Sequence, residues 1–139
     1  ATDNNILAIL AKYGIYPGKV QLWGTGKPLR EFLWSEEMAD ASVYIMEHID
    51  FQDVRPEGNE VRNTHINIGT GKELSIKEVA TLIQEKIGFD GELVFDASKP
   101  DGTLRKLTDV SKLHALGWHH KIEIAEGVEL LYNWYLDKQ

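Results

Sequence analysis

The sequence contains no cysteine, which excludes a disulfide framework, thiolate zinc sites, iron–sulfur ligation and a cysteine nucleophile. The chemistry left is that of oxygen and nitrogen groups. Long apolar runs are also missing. The longest uninterrupted stretches are only a few residues, so the sequence offers neither a membrane span nor the apolar region of a signal peptide. A cytoplasmic location is the expectation. Positive charge is in deficit, with 15 Lys and Arg against 22 Asp and Glu and a formal net charge of −7. That balance argues against a general nucleic-acid binder, whose affinity comes from neutralising phosphates. It leaves room for one small phosphorylated ligand. What is present is a chain of 139 residues, the size of one ordinary domain and enough for a single core without staples.

Asp3 to Tyr13 places Ile6, Ile9, Leu10 and Tyr13 at helical spacing, with Asn4 or Asn5 as cap and Gly14 as stop. Lys19 to Trp23 alternates as a strand should and ends at Gly24-Thr25-Gly26. A second helix is expected over Glu36 to Ile49, capped by Ser35, and a charged surface loop over Asp50 to Asn63. Thr64 to Ile68 suits a strand closed by Gly69-Thr70-Gly71. Ser75 and Glu78 form a capping box for a helix that runs to Gly88. Glu92 to Phe95 is a further short strand, and Pro100-Asp101-Gly102 the core of a turn. Asp109 caps a short helix ending at Gly117, and Ile124, Val128, Leu131 and Tyr135 mark a last one. Strands alternating with helices point to an α/β fold. Three short strands make a thin sheet for this length.

Gly-Thr-Gly-Lys occurs at Gly24 to Lys27 and again at Gly69 to Lys72. Neither is a phosphate-binding P-loop, because the four-residue spacing and the following Ser or Thr are absent. Neither continues as Gly-x-Gly-x-x-Gly. The flanks share nothing wider, so the pair is not an internal repeat. His119-His120 is expected to be a solvated pair, His65 a strand histidine, and His48 and His114 helix residues without a second ligand, so no metal site is expected. No serine sits in a nucleophile elbow, and no Tyr-x-x-x-Lys occurs. Two segments admit either a ligand loop or a plain turn. Trp23 to Phe32 combines an aromatic wall with Arg30, whose planar fork suits phosphate. Ser98 to Lys106 sets three cations around a turn of an acidic chain.

Taken together, Leu22-Trp23-Gly24-Thr25-Gly26-Lys27-Pro28-Leu29-Arg30-Glu31-Phe32-Leu33, His65 to Gly71, and Val94 to Thr103 with Arg105-Lys106-Leu107 resemble the GDP-L-fucose synthase family of extended short-chain dehydrogenase/reductases. Asp109 to Leu113 and Leu116-Gly117-Trp118 extend the resemblance over about residues 19 to 137. Leu104 stands where family members usually carry proline, and residues 1–18 match little of the pattern, like the end of an insertion.

The resemblance implies a C-terminal fragment with an incomplete Rossmann sheet, residues 19–139 forming the substrate-binding part of a nucleotide-sugar epimerase/reductase. It implies Trp23, Arg30, Asp101 and Lys106 as substrate contacts and no catalytic or cofactor-binding residue in this chain. NADP(H) and the catalytic Ser and Tyr-x-x-x-Lys would belong to an N-terminal Rossmann part. The partners implied are a GDP-sugar, that Rossmann part and further copies in a homo-oligomer. The activity implied is 3,5-epimerisation and 4-reduction of GDP-4-keto-6-deoxymannose, with the isolated fragment inactive. Another nucleotide sugar, or a non-catalytic nucleotide-binding module, are the alternative readings.

Overall fold

The computed structural model describes residues 3–58 and 61–138. Residues 59 and 60 of the expected Asp50–Asn63 loop, and residues 1 and 2 of the amino-terminal segment, lie outside the described residues. The order is α1 (Asp3–Ala11), β1 (Ile15–Tyr16), β2 (Lys19–Trp23), β3 (Leu29–Arg30), α2 (Ser35–His48), α3 (Phe51–Val54), β4 (Leu74–Ser75), α4 (Ile76–Ile87), β5 (Glu92–Asp96), β6 (Arg105–Lys106), α5 (Ser111–Ala115) and α6 (Ile124–Leu136). Helices and short mixed sheets thus make a partial Rossmann-like α/β unit.

One sheet has the order β1-β2-β5. β1 and β2 are antiparallel, whereas β2 and β5 run parallel with Lys19 opposite Glu92 and Trp23 opposite Asp96. The parallel pair is bridged by α2 to α4, as parallel pairing requires a crossover. The second sheet, β4-β3-β6, is three strands of two residues, with Arg30 opposite Leu74 on one side and Lys106 on the other.

Local signals explain much of this. Ser75 accepts from the Glu78 N–H while the Glu78 carboxylate accepts from the Ser75 N–H, so α4 opens on the expected capping box and closes on Gly88 at φ 67°. The core lies between α2, α5 and the segment after α5: Ala41, Leu113 and Trp118 are buried, with Leu33, Tyr44, Ile45, Ile66 and Ile68 packed on them. The polar ends of the core are satisfied. Trp118 Nε1 donates to Asp40 Oδ2 at 2.8 Å, and the Tyr44 hydroxyl donates to the Leu116 carbonyl at 2.9 Å.

Several expectations change. Asn4 and Asn5 lie inside α1, which begins at Asp3. Ser35 is the first residue of α2 and Trp34 its cap, with no side-chain bond. The loop after α2 contains α3, opened by a reciprocal Asp50–Asp53 box. Thr64 to Ile68 forms no regular element and joins neither sheet. Its isoleucines face the core, the Asn67 side chain donates to the Asp109 carbonyl, and Lys112 Nζ donates to the carbonyls of Asn63 and His65. The turn near residue 100 falls earlier: the Lys99 N–H donates to the Asp96 carbonyl, and Asp96 Oδ1 accepts from the Ser98 N–H and hydroxyl. An Asx-type turn therefore replaces the expected Pro100-Asp101-Gly102 turn.

Candidate functional site

β2 delivers Trp23 to the start of a sharp turn, and the indole is 73% exposed. Gly24 follows at φ 83°, where a Cβ would fall 2.3 Å from Asp101 Oδ1. Only glycine lets that carboxylate come so near. Asp101 Oδ1 accepts from the Thr25 N–H at 2.8 Å, and Oδ2 accepts from the Thr25 hydroxyl at 2.6 Å. The bonds from the Thr25 hydroxyl and N–H hold the Asp101 carboxyl below its ordinary pKa, outweighing the opposing effect of burial, and Lys27 adds a smaller lowering.

Arg30 projects from β3. Its Nη1 donates to the Leu29 carbonyl at 2.6 Å and to the Thr103 carbonyl at 2.7 Å. Lys106 stands opposite Arg30 in the parallel β3–β6 pair and is exposed. Residues paired across neighbouring strands present their side chains to the same face, so the two cations are neighbours. Lys99 Nζ sits 5.5 Å from the centre of the Trp23 ring, a cation–π distance.

The segment from Lys99 to Lys106 is therefore the meeting point. Lys99 reaches Trp23, Asp101 reaches Thr25, Thr103 receives Arg30, and Lys106 pairs with β3. No contact joins Trp23 directly to Arg30 among those observed; they are connected through this loop. The result is an exposed aromatic ring and three cations, Lys99, Arg30 and Lys106, on a scaffold fixed by Asp101. Such a set can stack a flat ring and neutralise a diphosphate.

Glu31 gives no sign of its role in the sequence. Its Oε1 accepts from the N–H groups of Thr70 at 2.7 Å and Gly71 at 2.6 Å. Its Oε2 accepts from the Thr108 N–H at 3.1 Å and hydroxyl at 2.5 Å. Burial pushes the carboxyl pKa up, but the bonds from Thr108, Gly71 and Thr70 together outweigh it and hold the group below its ordinary value.

Neither Gly-Thr-Gly turn fits a dinucleotide pyrophosphate. The backbone donors such a group would need are engaged within the chain: at the first turn the Gly24 N–H goes to the Asp96 carbonyl, the Thr25 N–H to Asp101 and the Lys27 N–H to the Thr25 hydroxyl, and at the second Glu31 takes the Thr70 and Gly71 N–H groups. The histidines also differ from expectation. His119 is exposed and stacks on His114 at 4.2 Å, while the His120 side chain is only 9% exposed and lies 3.3 Å from Glu123. They are not a solvated pair. Among the described residues no group of three His, Asp or Glu side chains is placed to hold a metal ion.

Residues 3–69 match the model of the NAD dependent epimerase/dehydratase family. The chain is 47% identical over 120 residues to GDP-L-fucose synthase of Escherichia coli (strain K12), an alignment that covers 86% of this chain and 37% of that protein. The structure matches a GDP-6-OMe-4-keto-L-xylo-heptose reductase from C. jejuni with TM-score 0.92 and 46% identity, covering 98% of this chain and 39% of the other. A GDP-D-glycero-L-gluco-heptose synthase from Campylobacter jejuni, solved in the presence of NADPH, matches with TM-score 0.85 and 45% identity over 96% of this chain and 37% of its own. The chain spans between a third and two-fifths of the length of these relatives. In sequence and in fold it belongs to the NAD dependent epimerase/dehydratase family, among the extended short-chain dehydrogenase/reductases whose members act as GDP-L-fucose synthases and GDP-sugar reductases.

Proposed function

We propose that this chain is the nucleotide-sugar-binding portion of a GDP-L-fucose synthase, an enzyme that epimerises GDP-4-keto-6-deoxymannose at C3 and C5 and reduces it at C4 with NADPH. The convergence of Trp23, Arg30 and Lys106 on the Lys99–Lys106 segment carries this reading. Arg30 and Lys106 grip the diphosphate, Trp23 forms a flat wall for base or sugar, and Asp101 accepts from a ligand N–H or hydroxyl with the lone pairs that Thr25 leaves. In this reading residues 1–18 are the end of an insertion, and residues 19–139 are the substrate part. NADP(H), the catalytic acid and the remaining sheet strands belong to an N-terminal part of the same polypeptide. The enzyme works in the cytoplasm as a homo-oligomer, and among the described residues no helix is long and apolar enough to cross a membrane.

Calorimetric titration of the full-length protein with GDP and with UDP tests the grip, and NADPH consumption with GDP-4-keto-6-deoxymannose tests the reaction. Failure to prefer GDP would refute it. The 139-residue chain alone should consume no NADPH above a protein-free control. A second reading has its own support in the TM-score of 0.92 against a GDP-heptose reductase: the sugar is then a GDP-4-keto-heptose, and turnover of that substrate over the 6-deoxy sugar separates the two.

A further inference from the structure

We propose that Glu31 is the positioning residue of the diphosphate grip: by tying the Gly69–Gly71 turn and Thr108 to β3, it fixes Arg30 beside Lys106. The inference rests on the reading of Arg30 and Lys106 given above.

The pairing that brings the two cations together is only two residues long, Leu29 with Arg105 and Arg30 with Lys106. A ladder of that length specifies its register weakly. The residue immediately beyond Arg30 is Glu31, and its carboxylate reaches Thr108, two residues beyond Lys106, with a bond from the backbone and one from the hydroxyl. A side chain thus continues the β3–β6 contact where the ladder stops. The other oxygen takes the Thr70 and Gly71 N–H groups, so three segments distant in sequence meet on one carboxylate. Both oxygens are occupied within the chain. Glu31 is therefore set to hold the grip rather than touch the ligand.

Gly69 supports the same assignment from the opposite side. A Cβ at this position would lie 2.4 Å from Glu31 Oε1 and 2.5 Å from Thr108 Oγ1. The turn must come this close for the clamp to close, and an alanine would pry it open without altering the carboxylate. Glu31→Gln perturbs it differently, because the amide NH2 would face N–H donors in place of an acceptor.

The test is calorimetric titration of GDP into the full-length protein and its variants Glu31→Gln, Gly69→Ala, Arg30→Ala and the two double variants with Arg30→Ala, with cooperative melting as the check of fold. Expected is a loss of about fivefold or more in GDP affinity for each of Glu31→Gln and Gly69→Ala, and at most about twofold further loss when either is added to Arg30→Ala, the coupling of groups that act as one unit. The KM for the GDP-sugar should rise in the same proportion with kcat within about twofold. Gly69→Ala carries the test if Glu31→Gln does not fold. Wild-type affinity in both clamp variants, with Arg30→Ala weakened, overturns the positioning role and leaves the binding reading standing. A full additive loss in the double variants also overturns it. Wild-type affinity in Arg30→Ala refutes the binding reading itself and this inference with it.

Discussion

Replacing Arg30 by alanine is the sharpest perturbation of the proposed grip, and its size follows from what the guanidinium does. Nη1 is committed to the Leu29 and Thr103 carbonyls at 2.6 and 2.7 Å, which orients the remaining nitrogens and ties down the Gly102–Thr103 backbone. A hydrogen bond with one charged partner contributes about 1.5–3 kcal/mol. At about 1.4 kcal/mol per decade, losing one such bond to a phosphate weakens binding by roughly tenfold to a hundredfold. Freeing the Thr103 carbonyl loosens the loop that carries Lys99 and Asp101, which moves the expectation toward the upper end. Arg30→Lys keeps the charge but not the planar five-donor fork that holds the carbonyls and leaves nitrogens aimed at a phosphate, so it should recover only about half of the lost free energy. The assay is calorimetric GDP titration of the full-length protein at fixed ionic strength, with Lys12→Ala, exposed just past α1, as control. Arg30→Ala binding GDP within about twofold of wild type, with melting unchanged, would refute the argument.

Glu31 predicts a pH effect on stability. Its folded-state pKa is below the ordinary value of 4.5, so its bonds contribute stability above that value, and the contribution disappears as pH falls through the lowered folded value. The melting-temperature gap between wild type and Glu31→Gln should therefore narrow from about pH 6 to about pH 3, and a constant gap contradicts it. Leu113, fully buried in the core, should cost about 2–5 kcal/mol on truncation to alanine by urea unfolding; a loss under 1 kcal/mol would mean the site collapses without a cavity. Gly127 lies inside α6, and a Cβ there would make its nearest contact with Trp34 Cε3 at 3.4 Å. Gly127→Ala should accordingly stabilise by up to about 1 kcal/mol, and destabilisation would show that α6 sits too close to Trp34 for a methyl group. The 139-residue chain should self-associate, because Met38, Val43 and Met46 of α2 are exposed, as is Phe51 of α3. A strictly monomeric sedimentation profile at all concentrations counts against that.

The elements legible in the sequence are those with local physical signals. The Ser75–Glu78 box and Gly88 are contiguous marks of a helix, and α4 lies where they put it. The alternation of Lys19 to Trp23 and Glu92 to Phe95 marks two strands that pair with each other, although nothing local tells that they are neighbours and parallel. The two-residue strands β3, β4 and β6 carry no period of their own. They exist because distant backbone groups meet, which no window of sequence contains. Thr64 to Ile68 misleads for the converse reason: its pattern is that of a strand, but a strand is defined by a partner strand, and it pairs with neither sheet, Lys112 reaching the His65 carbonyl instead. Asp96 and Ser98 did carry a turn signal, outweighed by the more familiar Pro-Asp-Gly beside it.

The same division runs through the candidate site. Trp23, Arg30 and Lys106 stand out by residue type, an aromatic and two cations in turn-rich stretches of an acidic chain. Glu31 does not, since a lone glutamate in an extended segment is indistinguishable from a solvated one until Thr70, Gly71 and Thr108 are seen to surround it. The two Gly-Thr-Gly turns make the point in chemical terms. Each presents N–H groups of the kind that bind phosphate in other folds, and in each they are engaged within the chain: Asp101 takes the Thr25 N–H and Asp96 the Gly24 N–H in the first, and Glu31 takes those of Thr70 and Gly71 in the second. An incoming diphosphate would find those donors engaged, so its charge must be met by side chains. In the proposed grip that burden falls on Arg30, Lys99 and Lys106, while the bonds that Glu31 and Asp101 make to the turns fix the frame from which the cations project.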